Sequence, residues 1–224
     1  MRILKKKTVD RSVYELGLER VHRAYDLYDR VVVSFSGGKD STACLHLALE
    51  VAKELHRLPV AVVFFDEEAI HPETVDYVRR VSQRGDVELC WYCIPVRHRN
   101  ACSRRSPFWY PWAPEDRSKW CRELPREAIA DVNGFKRQPI PEINGLLFPR
   151  HTGTVGMIVG LRAAESLRRY RAVAHRVADN YISQDPFASH VYLVKPIYDW
   201  TTADVWTAPN AFGWDYNRTY DVLQ

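Results

Sequence analysis

The sequence lacks any long apolar run and any recognisable export signal. No apolar stretch in its 224 residues approaches the roughly 20 that a membrane-spanning helix requires. Residues 1–7 are basic, but no apolar core and small-residue cleavage site follow them, as a secretory signal would require. We therefore expect a cytoplasmic protein with no membrane partner.

Cysteine is also scarce, with five residues, an odd number that favours reduced thiols over a disulfide framework. Cys90 and Cys93 form a Cys-x-x-Cys pair, with Cys102 and Cys121 downstream, so a zinc or iron–sulfur site is one hypothesis. The alternating pattern around the pair instead predicts a strand, in which the two thiols point to opposite faces. Cys44 is expected in the core.

The charge balance excludes a strongly basic protein. The formal net charge is +4 and the pI is near 8.8, which is weaker than the basic stripe of a dedicated nucleic-acid binder and is equally compatible with a nucleotide ligand. The length predicts a single domain over 1–224. Because an apolar pattern is still running over 220–224, we expect the C-terminus to be truncated.

Strand-like runs alternate with helical periodicity along most of the chain. Predicted helices cover 9–30, 39–57 and 72–81, and predicted strands cover 31–35, 59–65, 87–96, 155–159 and 191–194. This alternation predicts an α/β fold with three layers, in which helices cover both faces of a mainly parallel, twisted sheet.

Between about 97 and 154 the periodicity fails, and seven prolines interrupt a segment rich in Trp, Tyr and Arg. Long irregular segments inside compact domains are usually lids or binding loops, so we expect this insertion to contact a second substrate or a partner. Within it, 97–120 interleaves cations with aromatic rings, a mixture that suits single-stranded nucleic acid, a nucleotide base or a protein partner.

The hexad 36–41, Ser-Gly-Gly-Lys-Asp-Ser, lies between a buried strand and a long helix. Glycines at such a turn let the backbone approach phosphate oxygens, while Ser36 and Ser41 add hydroxyl groups and Lys39 adds a positive charge. The spacing is not that of a Walker A loop. The hexad predicts a pyrophosphate cradle, whereas a Gly-Gly pair alone would indicate only a connecting turn.

Asp40 is the unexpected member of this hexad, because a carboxylate repels phosphate. We interpret Asp40 as a ligand for Mg²⁺ or as a water-mediated contact.

Four separated motifs carry a resemblance to a known family. Residues 34–41 resemble the PP-loop of ATP pyrophosphatases in the adenine nucleotide alpha hydrolase-like superfamily. The segments 63–74, 160–166 and 195–206 are similar to the branch that contains phosphoadenosine phosphosulfate (PAPS) reductases and the sulfate adenylyltransferase small subunit. The overall pattern most resembles PAPS-reductase-like proteins with a C-terminal domain of unknown function.

The resemblance implies that ATP lies across the strand ends, with its β- and γ-phosphates in the loop and its α-phosphorus open to attack. The implied nucleotide-binding residues are Ser34, Ser36, Gly37, Gly38, Lys39, Asp40, Ser41, Asp66, Gly160, Arg162 and Glu165. Lys39, Asp40 and Arg162 are the catalytic candidates.

Two members of this set have simpler interpretations as well. Glu165 would hold Arg162 against phosphate, or the two would form only a solvated helix pair. Asp66 would reach a ribose hydroxyl or the metal, or would belong to a solvated acidic loop that favours the next helix.

The leading functional hypothesis is an ATP pyrophosphatase, using ATP and Mg²⁺, that adenylylates an unknown acceptor in sulfur metabolism or sulfur transfer, including DNA phosphorothioation. Reductases of this branch use a cysteine near the C-terminus in a Glu-Cys-Gly-Leu-His-like segment, and the last cysteine here is Cys121. A sulfonucleotide reductase and a nucleotide-binding regulatory module without turnover are the alternatives.

Overall fold

The computed structural model describes residues 9–174 and 180–222. The basic segment 1–7 and the last two residues lie outside this description. The helices are α1 (Val13–Leu27), α2 (Lys39–Glu54), α3 (Pro72–Ser82), α4 (Asn144–Leu147), α5 (Leu167–Ala174), α6 (Thr202–Phe212) and α7 (Thr219–Val222). The strands are β1 (Arg30–Phe35), β2 (Val60–Phe65), β3 (Val87–Tyr92), β4 (His98–Arg99), β5 (Phe108–Trp109), β6 (Ala128–Ile129), β7 (Val155–Val159), β8 (Ile182–Gln184) and β9 (Val191–Val194).

Seven strands form one sheet in the order β6-β3-β2-β1-β7-β9-β8. Every neighbouring pair is parallel except β8 and β9. The five strands predicted from the sequence are all present, although β3 ends at Tyr92 and not at 96. The short strands β6 and β8 were not predicted, since two or three residues carry no periodic signal.

The predicted α/β architecture is confirmed, and alternation along β1 explains how both faces of the sheet are buried. Val31, Val33 and Phe35 pack in the large cluster that includes residues of α1, α2, α3 and α6. Val32 points to the other face, where it belongs to a second cluster with Phe148, which directly follows α4. The insertion thus covers a face of the sheet.

The insertion is more ordered than its lack of periodicity predicted. It contains the β4–β5 hairpin, β6, α4 and three turns of 3-10 helix, at Pro114–Lys119, Ile140–Glu142 and Arg150–Thr152. Its residue Ile143 packs in a small cluster with Ile94 and Val96, which directly precede the insertion, and this cluster also contacts Phe65 and Tyr92 at the ends of β2 and β3. Within the described residues, none of the helices combines the length and apolarity that crossing a membrane would take.

The strand order reverses beside β1. From β1 the chain moves outward through β2 and β3, and it later returns to the opposite side of β1 to form β7 and then β9. In open α/β sheets, the loops that leave two strands at such a switch point diverge and open a crevice at their carboxyl ends, where ligands bind. Residues 36–41 follow β1 and residues 160–162 follow β7, so both predicted motifs meet at this crevice.

Candidate nucleotide site

The turn between β1 and α2 forms the centre of the candidate site. Gly37 has a φ of +72°, and a Cβ on it would lie 2.9 Å from the Cγ2 of Thr74, so any other residue here would be both strained and crowded. Gly38 is the N-cap of α2 and supplies no side-chain cap. Because the first helical bond runs from the Thr42 amide to the Gly38 carbonyl, the three preceding amides have no acceptor within the helix. Amides without a partner inside the helix are the groups that bind anions at helix N-termini. We call residues 36–41 the anion-binding turn, after this predicted role.

Two serines stabilise the turn from inside. The Ser36 amide donates to Ser41 Oγ at 3.2 Å, the two hydroxyl oxygens lie 3.0 Å apart, and Ser41 Oγ donates to the Gly38 carbonyl at 3.0 Å. Ser41 is buried and Ser36 is exposed, so Ser36 is the serine that faces the crevice. Ser34 lies within β1, paired with Val63 and Val159, and not in the turn.

Gly160 brings the loop after β7 against the start of α2. A Cβ on Gly160 would lie 2.8 Å from both the Asp40 carbonyl carbon and the Ser41 amide nitrogen. No side chain fits this gap, so the two loops pack backbone to backbone. The predicted importance of Gly160 therefore has a steric reason, and Gly160 fixes the distance between β7 and the anion-binding turn.

Arg162 and Asp40 form the charged core of the site. Arg162 Nε lies 2.7 Å from Asp40 Oδ1, and Arg162 is only 2% exposed. Lys39 Nζ lies 3.6 Å from Asp40 Oδ2, and Arg162 also contacts Glu165 at 3.7 Å. The structure thus brings four of the predicted residues together. The alternative in which Arg162 and Glu165 form a solvated helix pair is wrong, because Arg162 is buried and precedes the 3-10 turn Ala163–Glu165.

Asp40 as it stands does not fit a resident Mg²⁺. Its carboxylate lies between two cationic groups, Lys39 and Arg162. Within residues 9–174 and 180–222, no three His, Cys, Asp or Glu side chains are grouped so that they could hold a metal ion. Proteins that bind nucleotides often hold Mg²⁺ through the phosphates of the nucleotide and only one or two side chains, so this site does not require a resident ion.

The Asp66 carboxylate is fully engaged in hydrogen bonds with protein groups, one of which belongs to the insertion. It is 1% exposed, Trp91 Nε1 donates to its Oδ2 at 2.8 Å, and its Oδ1 accepts the Glu68 amide at 2.8 Å and a charged bond from Arg122. The solvated-loop interpretation of Asp66 is wrong. A ribose contact through this carboxylate would require the loss of one of these bonds, so the arrangement favours a role in anchoring residues 112–122.

The segment 215–222 crosses the anion-binding turn, and local patterns did not predict this. Asn217 Nδ2 donates to the Gly37 carbonyl at 2.8 Å and to Thr74 Oγ1 at 2.9 Å. The Lys39 amide donates to the Tyr220 hydroxyl at 3.2 Å. The bonds to Gly37 and Lys39 join residues about 180 positions apart, and sequence periodicity cannot predict a contact over that separation. The Tyr220 hydroxyl therefore accepts a hydrogen bond from one of the amides that an anion would use.

His46 lies on α2 beneath this segment. Its ring stacks on Trp214 at 4.7 Å between centroids, and Nε2 lies 3.1 Å from the Asp215 carbonyl. Burial disfavours the charged imidazolium and lowers the pKa of His46 to about 4. His46 is therefore neutral near pH 7, and its Nε2–H donates to the carbonyl.

The five cysteines do not lie together in one site. Cys90 packs in the cluster that contains Val32, whereas Cys93 packs in the cluster on the opposite face, as the alternating pattern predicted. Cys44 is buried, Cys102 and Cys121 are exposed, and all five thiols are free. Burial raises the pKa of Cys93, with Asp66 adding to the effect. Nothing in the described residues supports the zinc or iron–sulfur hypothesis.

Comparisons with known proteins agree with this architecture. A sequence profile of the phosphoadenosine phosphosulfate reductase domain matches residues 30–222. The uncharacterized protein YbdN of Escherichia coli strain K12 is 32% identical over 215 residues, which cover 88% of this chain and 51% of that protein. An uncharacterized protein of Methanocaldococcus jannaschii is 26% identical over 192 residues, covering 84% of this chain and 38% of that protein. The chain thus spans about half or less of these relatives.

Solved structures show the same fold at low identity. The FMN adenylyltransferase of Candida glabrata superposes with a TM-score of 0.55 and 14% identity, covering 97% of this chain and 62% of that one. The PAPS reductase of Candida auris, in a phosphate complex, superposes with a TM-score of 0.52 and 15% identity, covering 97% and 93%. Both likenesses establish the adenine nucleotide alpha hydrolase-like fold.

Proposed function

Because the chain belongs to the phosphoadenosine phosphosulfate reductase domain family, we propose that it binds ATP at the carboxyl ends of β1 and β7 and transfers the adenylyl group to an acceptor. The observation that carries the proposal is the anion-binding turn at the switch point. Gly37 has a positive φ and no room for a side chain, the start of α2 has no side-chain cap, and Arg162 and Lys39 lie beside it. The C. glabrata adenylyltransferase, which shares the fold, has been crystallised with ATP.

The chemistry assigned to this site is a substitution at the α-phosphorus. An acceptor oxygen forms the new bond to the α-phosphorus, and the bond from that phosphorus to the α,β-bridging oxygen breaks. Pyrophosphate leaves with the bridging oxygen, and a proton carried by the acceptor oxygen passes to solvent. The start of α2 and Lys39 would hold the departing pyrophosphate, since amide dipoles and a cation stabilise its growing negative charge. Asp40 would hold Arg162, and with it the loop after β7, in place. Mg²⁺ would arrive on the triphosphate and neutralise part of its charge.

The family's reductase members point to sulfur chemistry, so we place the acceptor in sulfur metabolism or sulfur transfer, with DNA phosphorothioation as one form. The two curated relatives are about twice as long as the matched region or longer. The activity of the whole protein therefore includes whatever its remaining length contributes, and this proposal concerns the nucleotide-binding part.

Pyrophosphate release from ATP tests the proposal, with candidate acceptors and with α,β-methylene ATP as a binding probe. Lys39→Ala should reduce turnover by about 100-fold or more, because it removes the positive charge that stabilises the departing pyrophosphate. Lys53→Ala is a matched control, since Lys53 is an exposed lysine in the last turn of the same helix. Equal activity of the two variants, or no binding of the probe by the wild-type protein, would reject the proposal.

A sulfonucleotide reductase is the second candidate, and the matching family profile favours it. The two activities separate in a thiol-dependent assay of sulfite release from PAPS and from adenosine phosphosulfate. Sulfite release without pyrophosphate release would replace our proposal with the reductase. Tight ATP binding with neither product would indicate the regulatory module.

A further inference from the structure

A basic hairpin, β4–β5, forms a separate two-stranded sheet, and the function proposed above does not use it. We call residues 97–109 the arginine ribbon. Its strands β4 and β5 pair antiparallel, with His98 opposite Trp109 and Arg99 opposite Phe108. The Asn100 amide donates to the Pro107 carbonyl at 2.9 Å and closes the loop that carries Arg104 and Arg105. The ribbon is therefore a formed element.

The charge of the ribbon has one sign. Residues 97–114 contain four arginines and one histidine but no aspartate or glutamate. All four arginines are exposed, and within residues 9–174 and 180–222 none of them forms an ion pair with a carboxylate. Arginines elsewhere are commonly paired, as Arg80 is with Asp215 and Arg137 with Glu115. Four unneutralised guanidinium groups on one hairpin fit a polyanion.

Aromatic rings lie among these charges. Phe108 is 42% exposed and Trp109 is 36% exposed. The Arg97 guanidinium lies 5.3 Å from the centre of the Phe108 ring, and His98 stacks on Trp109 at 4.8 Å. Because side chains alternate along a strand, Arg97, Arg99 and Phe108 share one face of the ribbon. This face offers a flat ring flanked by two cations.

The ribbon is attached where the sheet presents its ligand-binding edge. His98 Nε2 lies 3.9 Å from a carboxylate oxygen of Glu67, and the Trp112 amide donates to Glu68 at 2.8 Å. Glu67 and Glu68 follow the carboxyl end of β2, the strand that pairs with β1. A polymer held by the ribbon therefore starts at the same edge as the anion-binding turn.

We propose that the arginine ribbon binds single-stranded nucleic acid. Unpaired bases expose π-faces that can stack on Phe108, while the phosphates meet the arginines. A duplex hides those π-faces, and an acidic protein surface would pair with the arginines but leave the exposed rings without a matched partner. That the bound strand is also the acceptor rests on the proposed function.

Fluorescence anisotropy with a labelled 16-nucleotide single strand tests the binding, in the absence of ATP. Phe108→Ala should weaken binding about 10-fold, and Phe108→Tyr should restore it, because the ring is retained. In Arg104→Ala/Arg105→Ala, the slope of log K against log salt concentration should become less steep by about 1.4. Each phosphate contact contributes about 0.7 to that slope for single strands, and two contacts are lost. Arg23→Ala/Lys53→Ala removes the same charge from exposed positions on α1 and α2 and should change neither quantity.

Three results would overturn the inference: equal affinity for a duplex of the same length, equal affinity for polyglutamate, or equal losses in the ribbon and control variants. Binding of α,β-methylene ATP by the same variants separates the two proposals. Intact ATP binding with no oligonucleotide binding would reject the ribbon proposal alone. Oligonucleotide binding by a protein that does not bind ATP would reject the nucleotide proposal alone.

Discussion

Replacing Gly160 with alanine tests whether backbone contact between the loop after β7 and the start of α2 sets the geometry of the site. The new Cβ would lie 2.8 Å from the Asp40 carbonyl carbon and from the Ser41 amide nitrogen. That distance is about 0.7 Å inside the lower end of the ordinary carbon contact range of about 3.5 Å. Both atoms belong to the backbone, so no side-chain rotation can relieve the clash.

The loop after β7 and the anion-binding turn must therefore separate by several tenths of an ångström. Overpacking of this kind costs about 1–3 kcal/mol. In a chain of this size that cost lowers the melting temperature by roughly 2–12 °C. Displacement of catalytic groups by an ångström can reduce turnover about 100-fold. We expect a loss between 10-fold and about 100-fold in kcat/KM for pyrophosphate release, because the shift in Gly160→Ala is smaller than an ångström.

Gly85→Ala is the matched control. A Cβ on Gly85 would meet nothing within 4 Å, and the residue does not have a positive φ. The two variants are compared by differential scanning calorimetry, by binding of α,β-methylene ATP and by pyrophosphate release. If Gly160→Ala melts and binds like Gly85→Ala, then the close approach at Gly160 does not determine the site.

Three further predictions concern the surroundings of the site. The folded-state pKa of His46, about 4, lies below its ordinary value of 6.5, so stability is lost as the pH falls from 6.5 towards 4. His46→Gln should therefore reduce, by roughly 2–3 kcal/mol, the drop in urea-derived unfolding free energy between about pH 7 and pH 4.5, and an unchanged drop would refute the assignment. Arg122→Ala should cost about 3–5 kcal/mol by urea denaturation, because it leaves the buried Asp66 without its cation, and a loss below about 1 kcal/mol would show that the pair is unimportant. Tyr220→Phe should strengthen pyrophosphate binding in calorimetry roughly 2- to 12-fold by freeing the Lys39 amide, whereas weaker binding would show that the hydroxyl assists the anion.

The sequence by itself determined the fold class and the central feature of the site. The runs around Val31–Val33 and 60–65 are buried on both faces of a parallel sheet, and that double burial is what makes them continuously apolar and easy to recognise. The hexad 36–41 is also legible, because a turn that presents amides to an anion needs glycine, hydroxyl and cationic residues in immediate succession. Both signals come from residues that are neighbours in the chain, so they can be recognised from the order of residues alone.

Only the tertiary structure decided which of these residues meet and which are occupied elsewhere. Arg162 and Asp40 are 122 positions apart, and they pair because β7 lies next to β1 in the sheet. Asp66 looked like a ligand at a strand end, yet the folded insertion brings Trp91 and Arg122 to its carboxylate. Contacts between distant segments depend on strand order and on the path of irregular loops. Neither leaves a periodic trace in the sequence, because each is set by packing across the whole chain.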